Sequence, residues 1–376
     1  MAWLILIALI TVLLAATRLM GGRDLSRFDV DDPPSELKKG QEEVLEKVRG
    51  MNRAARGLRG RERVTVLRRY MDSLSDDLEP ASEFQANTGT GPRGEWVMAP
   101  GTENTGRRLL YIHGGAWSAG SPKSHRAITD RLSREANAAV FALDYRLMPE
   151  HRYLDGLRDC QNAYQWLLKN GPKRPEAATF MAIAGDSAGG NHALVLSAWI
   201  RDQGLRAPDA VIALSPSTDL TLTARSLETH IRTDPLLGPA FGRLTRIPRP
   251  ILWWLVFLAF RRPPCSPLVS PARGDLSGLP PTLIHVSDSE MLLDPARRYA
   301  LRAQEAGSPV ELAVWSGMIH VWHIFAPMLP EGEEAFAHIG AFLRRDDLGS
   351  KTARQSESSD EERNSAGREC GALGRI

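Results

Sequence analysis

Between about residue 83 and residue 346 the chain alternates short apolar runs with longer amphipathic segments. The apolar runs at 95–99, 109–113, 139–143, 179–184, 210–214, 282–286 and 310–314 have strand length. Between most of them, the segments 124–136, 155–169, 188–203, 294–306 and 333–344 place apolar residues at helical spacing. Strand and helix in alternation predict an α/β fold, a mostly parallel central sheet with helices on both faces. Such sheets bind ligands at the carboxyl ends of their strands, so chemistry is expected just after the apolar runs.

The alternation breaks between Pro216 and Pro281. That stretch is too long for a simple connection. It holds the run Ile251-Leu252-Trp253-Trp254-Leu255-Val256-Phe257-Leu258-Ala259-Phe260, bracketed by Arg246, Arg249, Arg261 and Arg262. Ten residues cannot span a bilayer. The run is either a cap helix over a pocket or a lipid-facing surface flanked by cations. Upstream, a helical pattern starts at Ser35 and carries Leu37, Val44, Leu45, Val48 and Met51. Arg49, Arg53 and Arg56 would share one face of it, either solvated or set on lipid headgroups. The expected organisation is an anchor or signal segment at 1–20, then linker and cap helix at 21–62. A catalytic domain at 63–346 follows, with a cap insertion at about 217–265. The tail at 347–376 is rich in Ser, Glu and Arg, has no large apolar residue until Leu373 apart from Leu348 at its start, and is expected to be disordered.

Composition narrows the classes. The net charge of +2 asks for no nucleic-acid partner. Cys160, Cys265 and Cys370 lie far apart, which suggests neither a metal site nor a disulfide framework. Residues 2–16, AWLILIALITVLLAA, hold no charge, and Arg18, Arg23 and Arg27 follow. A helix of that length sits at the short end of what spans a bilayer. Signal peptides usually begin with Lys or Arg, and none precedes this run. Membrane association through residues 2–17 is therefore expected, with the main domain facing the cytoplasm by the position of the arginines. Cleavage as a signal peptide, giving a secreted or periplasmic domain, is one alternative; a misplaced start codon is another.

The candidate chemistry begins at Gly185-Asp186-Ser187-Ala188-Gly189-Gly190, between a predicted strand and a predicted helix. A sharp strand-to-helix turn would lift the Ser187 hydroxyl to the sheet's carboxyl edge, and the Ala188 N–H would open the helix. Leu109–Ile112 runs into His113-Gly114-Gly115-Ala116-Trp117, where small residues let backbone N–H groups converge on an anion. A nucleophilic serine needs a base, and the base an orienting acid, in the order Ser, acid, His. Ser287-Asp288-Ser289-Glu290 follows one predicted strand, and Met318-Ile319-His320 follows the next.

Taken together, HGGAW at 113–117, DYRLMPEH at 144–151, GDSAGG at 185–190, SPL at 266–268 and the His320 segment resemble the hormone-sensitive-lipase-type esterases of the α/β-hydrolase fold. The resemblance covers about residues 63–346 and implies ester hydrolysis by Ser187, His320 and an acid. It implies an oxyanion hole from the N–H groups of Gly114, Gly115, Ala116 and Ala188. Two departures stand out. Ala116 replaces the family's usual third glycine, which matters only if the turn needs positive φ. The family's acid is commonly an aspartate; its place, counted back from Tyr299, falls on Glu290, with Asp288 and Asp294 as rivals. Asp144, Arg146, Asp159 and His113 match the family and are read as structural.

The expected function is serine hydrolysis of short-to-medium acyl esters, acetyl esters among them, of apolar alcohols, with no cofactor and no metal. The partner is a small hydrophobic ester. An amide or lactone hydrolase on the same site, or a non-catalytic ligand-binding scaffold, is the alternative reading.

Overall fold

The computed structural model describes residues 2–346 and Leu348. Apart from Leu348, the predicted tail, Cys370 included, lies outside the described residues. Eight strands form one sheet: β1 (Glu83–Ala86), β2 (Gly94–Met98), β3 (Arg107–Ile112), β4 (Ala139–Leu143), β5 (Phe180–Asp186), β6 (Ala210–Leu214), β7 (Thr282–Ser287) and β8 (Val310–Trp315). Their order is β1-β2-β4-β3-β5-β6-β7-β8. Pairing is parallel from β4 through β8 and antiparallel at β1 and β2. All seven predicted strands are present within a residue or two. The exposed edge strand β1, EFQA, carries one partly buried apolar residue and no periodic signal, so pattern alone misses it.

The helices are α1 (Ala2–Gly21), α2 (Glu42–Ala54), α3 (Gly60–Ser73), α4 (Arg126–Ala136), α5 (Tyr153–Leu167) and α6 (Ser187–Asp202), then α7 (Ser226–Thr229), α8 (Leu237–Phe241), α9 (Arg249–Phe260), α10 (Leu293–Glu305) and α11 (Pro330–Leu343). Alternate strand residues point to opposite faces of the sheet. Leu110, Ile112, Ile183, Val211 and Ile284 meet α5, α6 and α10 on one face. Leu109, Tyr111, Ala184, Ile212 and Leu283 meet α4 and α11 on the other. Both faces are buried, which is why the central strands are apolar without alternation.

The N-terminal segments differ from expectation in two ways. The helix predicted from Ser35 starts at Glu42. Residues before it spend their hydrogen bonds elsewhere: Lys38 N–H and the Gln41 amide both donate to the Gly317 carbonyl, and Ser35 Oγ donates to Asp288. Val44 and Val48 of α2 pack on Met318, Ile319 and Trp322, so this helix braces the His320 segment. Burying two such side chains contributes roughly 1.5–3 kcal/mol each. Arg56 lies beyond the end of α2, and Arg53 pairs with Glu46 at 2.6 Å, so the expected three-arginine face does not form.

The second difference concerns the polar stretch at 21–34, which is fixed to the body. Arg298 is fully buried and donates to Asp29 at 2.6 and 2.7 Å and to Asp219 at 2.9 Å. Arg273 donates to the other side of Asp219 at 2.8 Å and to the Arg23 carbonyl at 2.6 Å. One buried carboxylate thus joins α10, the cap region and the chain leaving α1. Removing one member of a buried charge cluster leaves its partners uncompensated. Asp219→Asn should therefore destabilise the full chain by about 3–5 kcal/mol, seen as a lower denaturant midpoint; an unchanged midpoint would mean that this cluster holds nothing together.

Candidate active site

The turn from β5 into α6 is built by close approach. A Cβ on Gly189 would stand 1.9 Å from the Ile112 carbonyl oxygen, and one on Gly185 would stand 2.5 Å from the Gly189 oxygen. Both positions therefore need glycine. Ser187 sits at φ 50°, a left-handed conformation that costs an L-residue about 1–2 kcal/mol. That backbone turns its hydroxyl outward at the first position of α6, beyond the carboxyl end of β5.

His320 follows β8, and its Nε2 lies 3.0 Å from Ser187 Oγ. Its Nδ1 lies 2.5 Å from Glu290 Oε2, on the segment after β7. The carboxylate can only accept, so Nδ1 carries the proton and Nε2 offers a lone pair to the serine hydroxyl. Glu290 is itself held: its Oε1 accepts from Ser287 N–H at 2.7 Å and from Ser215 Oγ at 2.9 Å. Burial disfavours the His320 imidazolium. The Glu290 hydrogen bond and charge, with Asp234 and Asp186 further off, outweigh that and raise its pKa above the usual 6.5.

The rival acids are engaged elsewhere. Asp288 accepts from Ser35 Oγ at 2.7 Å and from Gly317 N–H at 2.8 Å. Asp294 accepts from Ser226 N–H at 2.8 Å and lies inside the first turn of α10, so it does not cap that helix. The neighbouring His323 is buried against His285, 3.1 Å away, and burial holds it neutral.

The anion-binding turn needs one correction. Gly114 N–H donates to Asp186 Oδ1 at 2.9 Å, so it is not free to hold an oxyanion. Its glycine is needed for space, since a Cβ there would fall 2.1 Å from Asp186 Oδ2. Among the described hydrogen bonds, the N–H groups of Gly115, Ala116 and Ala188 have no partner. Ala116 takes φ 51°, so the turn does need the conformation that glycine supplies freely.

Asp186 is the residue sequence reasoning passed over, although it stands inside GDSAGG. It also accepts from Tyr111 Oη at 2.5 Å and lies 3.4 Å from His125 Nε2. Burial opposes its charge, yet His125 and the Tyr111 hydrogen bond hold its carboxyl below the ordinary value. The His113 ring stacks on Tyr145 at 4.4 Å and donates to the Gly114 carbonyl at 2.8 Å. Burial, then the nearby His125, pushes its pKa down to about 3. Asp144 and Arg146 do not pair with each other; Asp144 pairs with Arg93 at 2.6 Å, and Arg146 with Asp159 at 2.7 Å.

An apolar wall stands beside the serine. Trp117, Tyr153, Leu157, Ala188, Val195, Leu220 and Val269 form it, with Val256 and Phe260 of α9 packed on the outside. The described residues contain no cluster of ligating side chains that could hold a metal.

This arrangement has relatives. A family model described as the alpha/beta hydrolase fold matches residues 109–324. An acetyl-hydrolase from Streptomyces hygroscopicus is 41% identical over 252 residues, spanning 66% of this chain and 79% of that one. A carboxylesterase/phospholipase (LipF) from Mycobacterium tuberculosis is 37% identical over 257 residues, spanning 66% of this chain and 65% of that one. Among solved structures, an esterase from the bacterial hormone-sensitive lipase family matches with a TM-score of 0.69 at 34% identity, covering 82% of this chain and 98% of that one.

Two outcomes follow from the geometry. Without the Glu290 charge, burial acts on His320 against only the more distant Asp234 and Asp186, so NMR titration should find its ring at a lower pKa in Glu290→Gln than in the native chain; an unmoved titration would remove Glu290 from this role. Ala116→Gly relieves about 1–2 kcal/mol of backbone strain against about 0.4–1 kcal/mol of added chain entropy. The variant should be as stable as the parent or up to about 1.6 kcal/mol more so in a denaturant titration.

Proposed function

The chain belongs to the α/β-hydrolase family, among its hormone-sensitive-lipase-type members, and is a serine ester hydrolase; from that premise we propose that Ser187, His320 and Glu290 carry out the hydrolysis. The observation that carries this reading is the continuous hydrogen-bonded line from Ser187 Oγ through His320 to Glu290. Ser187 Oγ attacks the acyl carbonyl carbon as its proton passes to His320 Nε2. The oxygen that takes the negative charge is received by the N–H groups of Gly115, Ala116 and Ala188 at the start of α6. The intermediate collapses, and the alcohol leaves with the proton from His320. Water, deprotonated by the same Nε2, then attacks the acyl-serine and frees the acid and the hydroxyl. Glu290 fixes the tautomer and faces the imidazolium in both half-reactions.

The preferred substrates are short-to-medium acyl esters, acetyl esters included, of apolar alcohols. Trp117, Tyr153, Leu220 and Val269 beside the nucleophile support the apolar alcohol, and the relative named acetyl-hydrolase supports the short acyl chain. We also propose that residues 2–17 associate with a membrane and leave the catalytic domain on the cytoplasmic side. Among the described residues, no helix is long and apolar enough to cross a membrane. The apolar sequence of residues 2–16 and the arginines after it support the association.

Ser187→Ala should lower kcat for nitrophenyl esters by roughly 10⁶-fold. Undiminished hydrolysis by that variant would end the assignment, and native rates across a graded acyl series should peak at short to medium chains. Only neutral His320 can accept the proton, so kcat/KM should fall as pH drops through an apparent pKa above 6.5. Carbonate washing of membranes followed by protease protection should leave the protein bound and accessible from the cytoplasmic side; release by carbonate would remove the anchor.

A further inference from the structure

Helix α9 has two working faces. Leu252, Val256 and Phe260 follow one another at helical spacing on the inner side. Phe260 meets Trp117 with ring centroids 5.0 Å apart and Tyr153 at 5.3 Å, in the wall beside Ser187. On the outer side, Ile251, Leu255 and Leu258 are 54%, 46% and 52% exposed. Three large aliphatic side chains on one face, all about half in water, call for a covering partner.

The last turn of α1 lies against α9. Trp254 Nε1 donates to Thr17 Oγ1 at 3.3 Å, and the Trp253 ring stands over Gly21, where a Cβ would be 2.4 Å from it. Cys265 N–H donates to the Met20 carbonyl at 3.1 Å. Beyond this contact α1 runs on with Trp3, Ile7, Val12 and Leu14 between 56% and 76% exposed. Trp3, Ile7 and Leu14 share one face by helical spacing and Val12 lies on another, so the helix is apolar on more than one side. The Arg273 and Arg298 cluster ties the chain after α1 to the body, so α1 and α9 are presented together.

Charge identifies the partner. Residues 1–23 and 235–274 contain Arg18, Arg23, Arg243, Arg246, Arg249, Arg261, Arg262 and Arg273, with no Asp, Glu or Lys. The whole chain is nearly balanced, at 47 basic and 45 acidic residues. Among the described residues, Arg18, Arg243, Arg246 and Arg261 are exposed and make no ion pair. Glu228 pairs with Arg249 at the start of α9, and a second copy of the chain related by a two-fold axis would bring the remaining, unpaired arginines against themselves. An anionic lipid surface satisfies both features, taking the aliphatic side chains into its acyl boundary and the arginines among its headgroups.

We propose that α1 and α9 together form a docking surface for an anionic bilayer, with α9 lying in the interface as the shared wall between the lipid and the catalytic site. This rests on the ester-hydrolase reading and on membrane association by residues 2–17, and extends both to the insertion and to the source of substrate. Apolar esters dissolved in the bilayer would reach Ser187 past α9 without crossing bulk water.

The test uses the full chain in phosphatidylcholine vesicles with and without phosphatidylglycerol. A nitroxide on Leu255→Cys, read against identically treated native protein, should become accessible to oxygen and shielded from a water-soluble nickel chelate in the anionic vesicles. The combined Arg243→Gln, Arg246→Gln and Arg261→Gln variant should need at least roughly tenfold more anionic lipid for the same shielding. Hydrolysis of soluble nitrophenyl acetate should stay at the native rate in both variants, because none of these residues touches Ser187, His320 or Glu290. A nitroxide that stays in water while α1 holds the protein on the vesicle would overturn the proposal. So would a lipid-free dimer, broken by polar substitution of Leu255 and Leu258, that binds no vesicle. Because the nitroxide is read without turnover, an inactive native enzyme would count against the ester reading and leave the docking result to stand or fall separately.

Discussion

The close approach of the turns that follow the paired strands β3 and β5 at their carboxyl ends sets the terms for the site. The Ile112 carbonyl occupies the place of a side chain at Gly189, and Asp186 Oδ1 takes the Gly114 N–H and the Tyr111 hydroxyl. These contacts fix the Ser187 turn and the turn from Gly114 to Trp117 in one rigid corner. Left-handed backbone at Ser187, Ala116 and Trp117 survives because that corner over-determines it. The buried Asp186 charge is tolerated because His125, Tyr111 and Gly114 satisfy it, as a buried carboxylate requires.

The histidine is positioned from the opposite side. Its segment is pressed by α2 through Val44 and Val48, and Gln41 and Lys38 hold the Gly317 carbonyl just before it. Glu290 is locked by Ser215 and Ser287, so its second oxygen is aimed at His320 Nδ1. Burial and the carboxylate pull the imidazole's charge in opposite directions, and the carboxylate wins. The N-terminal segments, which look like an appendage in the sequence, therefore help to hold His320 in place.

The insertion after β6 and helix α1 are joined by charge rather than by apolar packing alone. Asp219, fully buried, is shared by Arg273 and Arg298, and Arg298 also holds Asp29. Such a cluster is costly to desolvate but strongly directional, which suits a junction that must set the angle between α1, α9 and the sheet.

The sequence by itself determined the sheet, the order of its strands along the chain and the three segments that meet at its carboxyl edge. Two-sided burial makes the strands apolar throughout, and a strand-to-helix turn at that edge tolerates only small residues around Ser187. Edge strand β1 and helix α3 left no such pattern, because neither buries a continuous apolar face. The choice among Glu290, Asp288 and Asp294 could be argued from register but not from residue type, since all three are carboxylates near one strand end. The tertiary structure places Glu290 Oε2 against His320 Nδ1, with Ser215 and Ser287 on its other oxygen and Ser35, Gly317 and Ser226 on the other two acids. It also decided that Gly114 gives its N–H to Asp186, that residues 21–34 are clamped and that the helix begins at Glu42. Each of these depends on a hydrogen-bond partner remote in sequence, and local patterning carries no information about where a remote partner will stand.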